Sequence, residues 1–72
     1  MPRKIRQLKA DLRKAGAYLA SQEGSHAKWK HKLLDDTMVV LAGHDGHDAK
    51  PYQEKAINAF LEQIAQAKET RN

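Results

Sequence analysis

The chain has 72 residues, of which 31% are charged, and a formal net charge of +4. A chain of this length forms one domain with a small core, so chemistry must take place on an open surface rather than in a deep cavity. It has no cysteine and no apolar stretch long enough for a membrane span or a secretory signal, so we expect a single cytoplasmic domain over residues 1–72 without disulfides or membrane association.

The first predicted element is an amphipathic helix over residues 3–15. Ile5, Leu8 and Leu12 recur at spacings of three and four residues, which is the period of one helix face. Most of the remaining helix surface is basic. Gly16 follows the last apolar residue, and glycine is common there because it tolerates the left-handed backbone conformation that ends many helices.

A β-hairpin is predicted after this helix. Residues 17–22 have moderate strand propensity, and Glu23-Gly24-Ser25 is typical of a turn. Residues 26–32 alternate with a period of two, which predicts a strand with two different faces. One face carries His26, Lys28, Lys30 and Lys32, and the other carries Ala27, Trp29 and His31. Because Trp29 lies opposite the lysines, we expect it to pack in the core rather than to stack on a base.

The second half of the chain contains one strand and one helix. Residues 33–36 are predicted to be a polar connection, and residues 38–41 a third strand because they are apolar and rich in β-branched side chains. Residues 43–48 are predicted to form a loop, residues 51–67 a helix and residues 68–72 a frayed tail. The helix carries an apolar stripe that we assign to the core: Ile57, Phe60, Leu61 and Ile64.

This order of elements predicts an α+β fold with the succession α-β-β-β-α. A three-stranded antiparallel sheet has one apolar face to bury, and two amphipathic helices packed on that face would cover it. The opposite face of the sheet would stay in contact with water and be free to bind a ligand.

Positive charge is concentrated in the first half of the chain. Residues 1–32 carry nine Lys and Arg against two acidic residues, whereas residues 33–72 carry four against seven. A one-sided basic surface attracts polyanions, chiefly nucleic acid. An ordinary solvated helix face would have a similar composition, so charge alone leaves both interpretations open.

The segment Gly24-Ser25-His26 holds the candidate catalytic residue. Histidine can act as a general base near neutral pH, and His26 begins a strand whose same face carries Lys28 and Lys30. RNA cleavage can use this combination, because a base activates the 2′-hydroxyl and cations stabilise the charge on the phosphorane. The alternative is a surface histidine at the start of a strand. Ser25 is expected to hydrogen-bond the turn or to reach a phosphate.

The segment His44-Asp45-Gly46-His47-Asp48 contains residue types that bind metals. Its spacing matches neither a zinc finger nor an EF-hand, so we predict no metal site and no cofactor. A loop packed against the hairpin, with aspartates that favour turns, explains the segment more simply. His44 is a candidate second histidine near the active face.

Residues 3–67 resemble the HicA-type toxins of the YcfA-like family. The resemblance is carried by Gly24-Ser25-His26, by the aromatic Trp29 and the His31 that follow, by Gly43-His44 and by the order of the elements. It implies a fold like that of double-stranded-RNA-binding domains and a metal-independent ribonuclease that cleaves mRNA. It also implies that His26 is catalytic and that a HicB-type antitoxin covers its surface.

Residue chemistry and the resemblance together give a set of candidate site residues. His26 is the predicted catalytic residue, and the predicted RNA contacts are Lys28, Lys30, Ser25, Gly24, Lys9 and Arg13. Two other functions remain open at this point. A small RNA-binding module would need the positive charge but not His26, and a protein that only docks an acidic partner would bind RNA weakly.

Overall fold

The structure is a computed structural model that describes residues 3–70. Its elements follow the predicted order, and the three strands form an antiparallel sheet in the order β1-β2-β3. Short turns join the strands, so neighbours along the chain are also neighbours in the sheet. The elements are α1 (Ile5–Lys14), β1 (Tyr18–Glu23), β2 (His26–His31), β3 (Leu34–Ala42) and α2 (Pro51–Thr70). The predicted α+β fold is confirmed.

The core lies between the two helices and one face of the sheet. Trp29 is only 2% exposed, and Leu41 of the neighbouring strand is fully buried. Burying each large apolar side chain contributes about 1.5–3 kcal/mol, so this single layer supplies much of the driving force for folding. The helices contribute Ile5, Leu8, Leu12, Ile57, Phe60 and Ile64, with Leu61 partly buried beside them. The predicted apolar faces of both helices, and the core position of Trp29, are confirmed.

Gly16 ends α1 as its sequence position predicted. Its φ of 92° is in the left-handed region, and the N–H groups of Gly16 and Ala17 donate to the carbonyls of Arg13 and Leu12 at 3.0 and 2.9 Å. This pair of bonds is the Schellman arrangement, which satisfies carbonyls that the helix itself leaves free. The chain can therefore reverse directly from α1 into β1.

The β1–β2 turn consists of Gly24 and Ser25. Gly24 has a φ of 59°, while Ser25 has a negative φ, as in a type II′ turn with glycine at its first central position. This turn suits the right-handed twist of the strands. It also fixes His26 as the first residue of β2, which begins the predicted alternation of exposed and buried side chains along the strand.

Residues 33–36 are not the polar connection that we predicted. The turn is shorter, and β3 begins at Leu34 and includes both Asp35 and Asp36. The prediction was wrong because it used local polarity, whereas pairing with β2 decides where β3 begins, as in the register His31 to Leu34. β3 is an edge strand, and exposed acidic side chains are tolerated on such an edge.

Helix α2 extends to Thr70, beyond the predicted end at residue 67. The Thr70 hydroxyl donates to the carbonyls of Gln66 and Ala67, and the Lys68 ammonium donates to the Ala15 carbonyl at 3.3 Å. The tail predicted to fray is thus helical as far as Thr70, and residues 71 and 72 lie outside the described range. Within residues 3–70, no helix combines the length and the hydropathy needed to cross a bilayer.

Candidate active site

The face of the sheet that the helices leave uncovered carries His26. The imidazole is exposed, and the next two residues on the same face of β2 are Lys28 and Lys30, both partly exposed. The predicted alternation therefore places all three side chains on one surface. Among the described residues neither lysine has a carboxylate within ion-pair distance, so both charges remain available to an anionic ligand.

Several neighbours of these cations were not predicted from the sequence. The strand register pairs Glu23 with His26, and it pairs Lys30 with both Tyr18 and Met38. Tyr18, Met38 and Val40 are each about half exposed. The outer face thus combines positive charge with exposed apolar surface. Hairpin register would have located Glu23 opposite His26, because a two-residue turn pairs the residues on either side of it.

A groove lies at the end of the sheet, beside the β1–β2 turn. The Gly43 N–H donates to the Ser25 carbonyl at 3.1 Å, which holds the loop after β3 against the turn. The groove has a volume of about 350 Å³. We call it the Ser25 groove, and the residues that line it include Lys9, Gln22, Gly24, Ser25, His44 and Asp45.

The loop of residues 43–48 is tied to the N-terminal end of α1. The His47 and Asp45 carbonyls accept hydrogen bonds from the N–H groups of Ile5 and Arg6 at 2.9 and 3.2 Å. These N–H groups belong to the first turn of α1, which has no partner for them within the helix. The loop therefore acts as the cap of α1, and its carbonyls face the positive end of the helix dipole.

The two aspartates of this loop form ion pairs with α1 and its flank. Asp45 accepts from Lys9 and Asp48 from Lys4, each at an N–O distance of 2.6 Å. The hydrogen bond from the Lys9 ammonium, together with its charge, lowers the pKa of the Asp45 carboxyl. Residues 3–70 contain no cluster of three or more histidine and carboxylate side chains arranged to hold a metal ion.

The predicted RNA contacts do not all lie on one surface. Lys28 and Lys30 share the outer face with His26, whereas Gly24, Ser25 and Lys9 line the Ser25 groove. Arg13 lies on the helix side of the sheet, with its guanidinium carbon 5.3 Å from the centre of the buried Trp29 ring. The outer face and the groove adjoin each other because Ser25 immediately precedes His26.

The remaining histidines have distinct environments. His31 is 3% exposed, its Nδ1 accepts from the Leu33 N–H and its Nε2 lies 3.0 Å from the Ala15 carbonyl. Because Nδ1 is an acceptor, the ring proton is on Nε2, which donates to Ala15. His44 and His47 are exposed, and their rings meet edge to face with centroids 5.2 Å apart. His31 is thus structural, while His44 lies in the Ser25 groove.

Comparison with known proteins supports the assignment that the residue pattern suggested. No curated protein and no solved structure matched the chain significantly. The family model of the HicA toxin of bacterial toxin-antitoxin systems matches residues 5–68, which include every helix and strand except the last two residues of α2. The chain therefore belongs to the HicA toxin family, whose members act in toxin-antitoxin systems, which implies a cognate antitoxin as its partner.

Proposed function

We propose that this HicA-family toxin is a metal-independent endoribonuclease that cleaves mRNA in the cytoplasm, with His26 as the catalytic residue. The observation that supports this proposal is the exposed His26 imidazole on the same sheet face as Lys28 and Lys30. A module that only binds RNA needs the two cations but has no use for a group that titrates near neutral pH. The open face also suits a polymeric substrate.

The chemistry that fits this arrangement is attack by the 2′-hydroxyl on the adjacent phosphate. Neutral His26 accepts the 2′-hydroxyl proton while the O2′–P bond forms, and the P–O5′ bond breaks to leave a 2′,3′-cyclic phosphate. Lys28 and Lys30 stabilise the negative charge that accumulates on the phosphorane oxygens. The departing 5′-oxygen must gain a proton, so a second group is needed on the other side of the phosphate.

His44 is our candidate for this second group. His26 pairs with Ala42 across β2 and β3, and the residue before His26, Ser25, accepts a hydrogen bond from the Gly43 N–H. His44 is the residue that follows Gly43. His44 and Ser25 line the same groove, and Ser25 directly precedes His26, so a phosphate at His26 would lie beside the groove that His44 lines. The Ser25 groove, which His44 lines, continues this surface around the end of the sheet.

The antitoxin is proposed to be a HicB-type protein that covers the outer face. Three apolar side chains, Tyr18, Met38 and Val40, lie there among the cations and are each about half exposed. Protein interfaces favour such apolar and aromatic side chains at their centre. An antitoxin with acidic side chains around an apolar patch would complement this face and exclude RNA from His26.

The first test is cleavage of a long single-stranded RNA in excess EDTA by the parent and by His26→Ala. We expect the variant to be about 10²–10⁴-fold slower, which is the usual contribution of a general acid or base. Binding of RNA and the melting temperature should hardly change, because His26 is exposed. Lys55→Ala, an exposed change on α2, serves as the preparation control. Equal cleavage by parent and variant would refute the assignment, and binding without cleavage by either would favour the non-catalytic module.

The role of His44 is tested with a substrate whose leaving group needs no proton. In RNA with a 5′-bridging sulfur at the cleaved linkage, the thiolate departs unaided. His44→Ala should be about 10²-fold slower than the parent on normal RNA but within about threefold on the sulfur substrate. His26→Ala should be slow on both. If the sulfur substitution leaves the defect of His44→Ala unchanged, His44 is not the acid.

A further inference from the structure

A second groove lies on the other side of the Ser25 and Gly43 pair, between the N-terminal end of α1 and the first turn of α2. It has a volume of about 290 Å³ and its lining includes Ser25, Gly43, His47, Asp48, Lys50 and Tyr52. We call it the Tyr52 groove. The mechanism proposed above makes no use of it, although Ser25 lines both grooves.

Hydrogen bonds hold the floor of the Tyr52 groove in place. The buried Gln53 amide donates to the Ala42 carbonyl at 2.7 Å and accepts from the Lys50 N–H at 2.8 Å, which joins the end of β3 to the start of α2. Gly43 has a φ of 121°, and a Cβ at this position would lie 3.5 Å from the Ile5 side chain. The groove is therefore preformed, and binding a ligand there would require little ordering of the chain.

Tyr52 forms an exposed wall of this groove. Its side chain is 65% exposed, and it is the most exposed of the large apolar residues that the structure describes. It belongs to the first turn of α2, and it is not part of the core cluster. An aromatic ring in this position offers an uncovered face on which a planar base can stack, and such stacking tolerates any base.

The charges around the Tyr52 groove permit an anionic ligand. Lys50 has no carboxylate within ion-pair distance among residues 3–70, whereas the Asp48 carboxylate is compensated by Lys4. The groove thus presents one available cation beside an aromatic ring. A nucleotide has the matching pair of features, a phosphate and a planar base.

The position of the groove relative to His26 identifies which nucleotide it would hold. Ser25 directly precedes His26, and Ala42, another lining residue, is the β3 partner of His26 in the strand register. A ligand in the groove would therefore be next to the one at the imidazole. Both would belong to one strand of RNA that bends around the end of the sheet.

We propose that the Tyr52 groove binds an unpaired nucleotide that neighbours the cleaved phosphate, with its base stacked on Tyr52 and its phosphate beside Lys50. This inference rests on the proposed ribonuclease function and names its substrate class. A base within a duplex would have to give up its stacking and its pairing to enter a side groove, whereas an unpaired base would not. The groove thus selects single-stranded RNA.

The test measures binding without cleavage. A single-stranded oligonucleotide that spans the mapped cleavage site, with 2′-O-methyl groups to block the reaction, is titrated by fluorescence anisotropy. Tyr52→Ala and Tyr52→Leu should weaken binding about tenfold, while Tyr52→Phe should stay within about twofold of the parent. Lys50→Ala should weaken binding more than Lys55→Ala, a control lysine that is exposed on α2 but does not line the groove. The same sequence as a duplex should bind parent and Tyr52→Ala equally.

A scan with single abasic sites adds a readout that a structural role would not change. An abasic site at one position should lower the RNA affinity of the parent about tenfold. It should leave the affinity of Tyr52→Ala unchanged, because the stacking partner is already absent there. Equal costs for the two proteins, or unchanged binding by Tyr52→Ala, would overturn the proposal. A defect of Tyr52→Ala in antitoxin binding alone would overturn it too and make the groove a protein contact.

Different experimental results would refute the groove proposal and the proposed ribonuclease function. If the parent cleaves RNA, His26→Ala does not, and Tyr52→Ala binds normally, only the groove proposal is refuted. If the parent neither binds nor cleaves single-stranded RNA, the ribonuclease function is refuted and the groove proposal with it.

Discussion

Replacing His31 by phenylalanine should destabilise the fold although both side chains end in a planar aromatic ring. The imidazole accepts from the Leu33 N–H and donates to the Ala15 carbonyl, both at 3.0 Å, and is 3% exposed. It thereby joins the end of α1 to the β2–β3 turn. Phenylalanine can make neither bond, so a donor and an acceptor that are partly shielded from water lose their partners.

The magnitude follows from these two bonds. The Leu33 N–H is partly shielded from water, and a shielded donor without a partner costs about 1–3 kcal/mol. The Ala15 carbonyl is partly compensated by the Lys68 ammonium at 3.3 Å, so we add about 1 kcal/mol for it. The total of about 2–4 kcal/mol is a large fraction of the stability of a small domain, which is about 0.05–0.15 kcal/mol per residue. It corresponds to a fall in melting temperature of about 10–30 °C.

Thermal unfolding followed by circular dichroism, and urea unfolding at 25 °C, would measure this loss. His26→Ala is the matched control, because it changes an exposed histidine on the same strand and should shift the melting temperature by no more than about 4 °C. His31→Phe should thus lose stability, whereas His26→Ala should lose cleavage activity and keep its stability. A melting temperature of His31→Phe within about 4 °C of the parent would refute the assigned hydrogen bonds.

Two further predictions concern charge. Lys28→Ala should weaken binding of single-stranded RNA and reduce the slope of log affinity against log salt by about 0.7, as measured by anisotropy at several salt concentrations; a variant with the parent's slope would contradict a phosphate contact. Asp45→Asn should destabilise the loop at neutral pH because Lys9 lowers the pKa of the Asp45 carboxyl in the folded state. A carboxyl group whose pKa is lowered by folding stabilises the fold at pH values above its ordinary pKa, and this stabilisation is lost as the pH falls through its pKa in the folded state. The difference in melting temperature between parent and variant should therefore be constant above about pH 5 and should shrink below about pH 4. A difference that persisted at low pH would exclude the Lys9 ion pair as its source.

The sequence by itself determined the architecture and the central feature of the candidate site. Apolar spacing located both helices and their buried faces, and period-two alternation in β2 separated His26, Lys28 and Lys30 from Trp29 and His31. These patterns are local, because a side chain's face follows directly from its position in a helix or strand. Gly16 and Gly24 likewise marked backbone conformations that glycine adopts most easily.

Only the tertiary structure decided the features that depend on contacts between distant segments. Strand pairing, rather than local polarity, extended β3 back to Leu34, and contact with α1 gave the aspartates of residues 43–48 their ion-pair role. The same loop carries His44 in the Ser25 groove, where we expected a second histidine near the active face, but the contacts that hold the loop there join segments distant along the chain. The Tyr52 groove likewise forms only when the ends of α1, β3 and α2 come together, because each segment supplies one part of its wall.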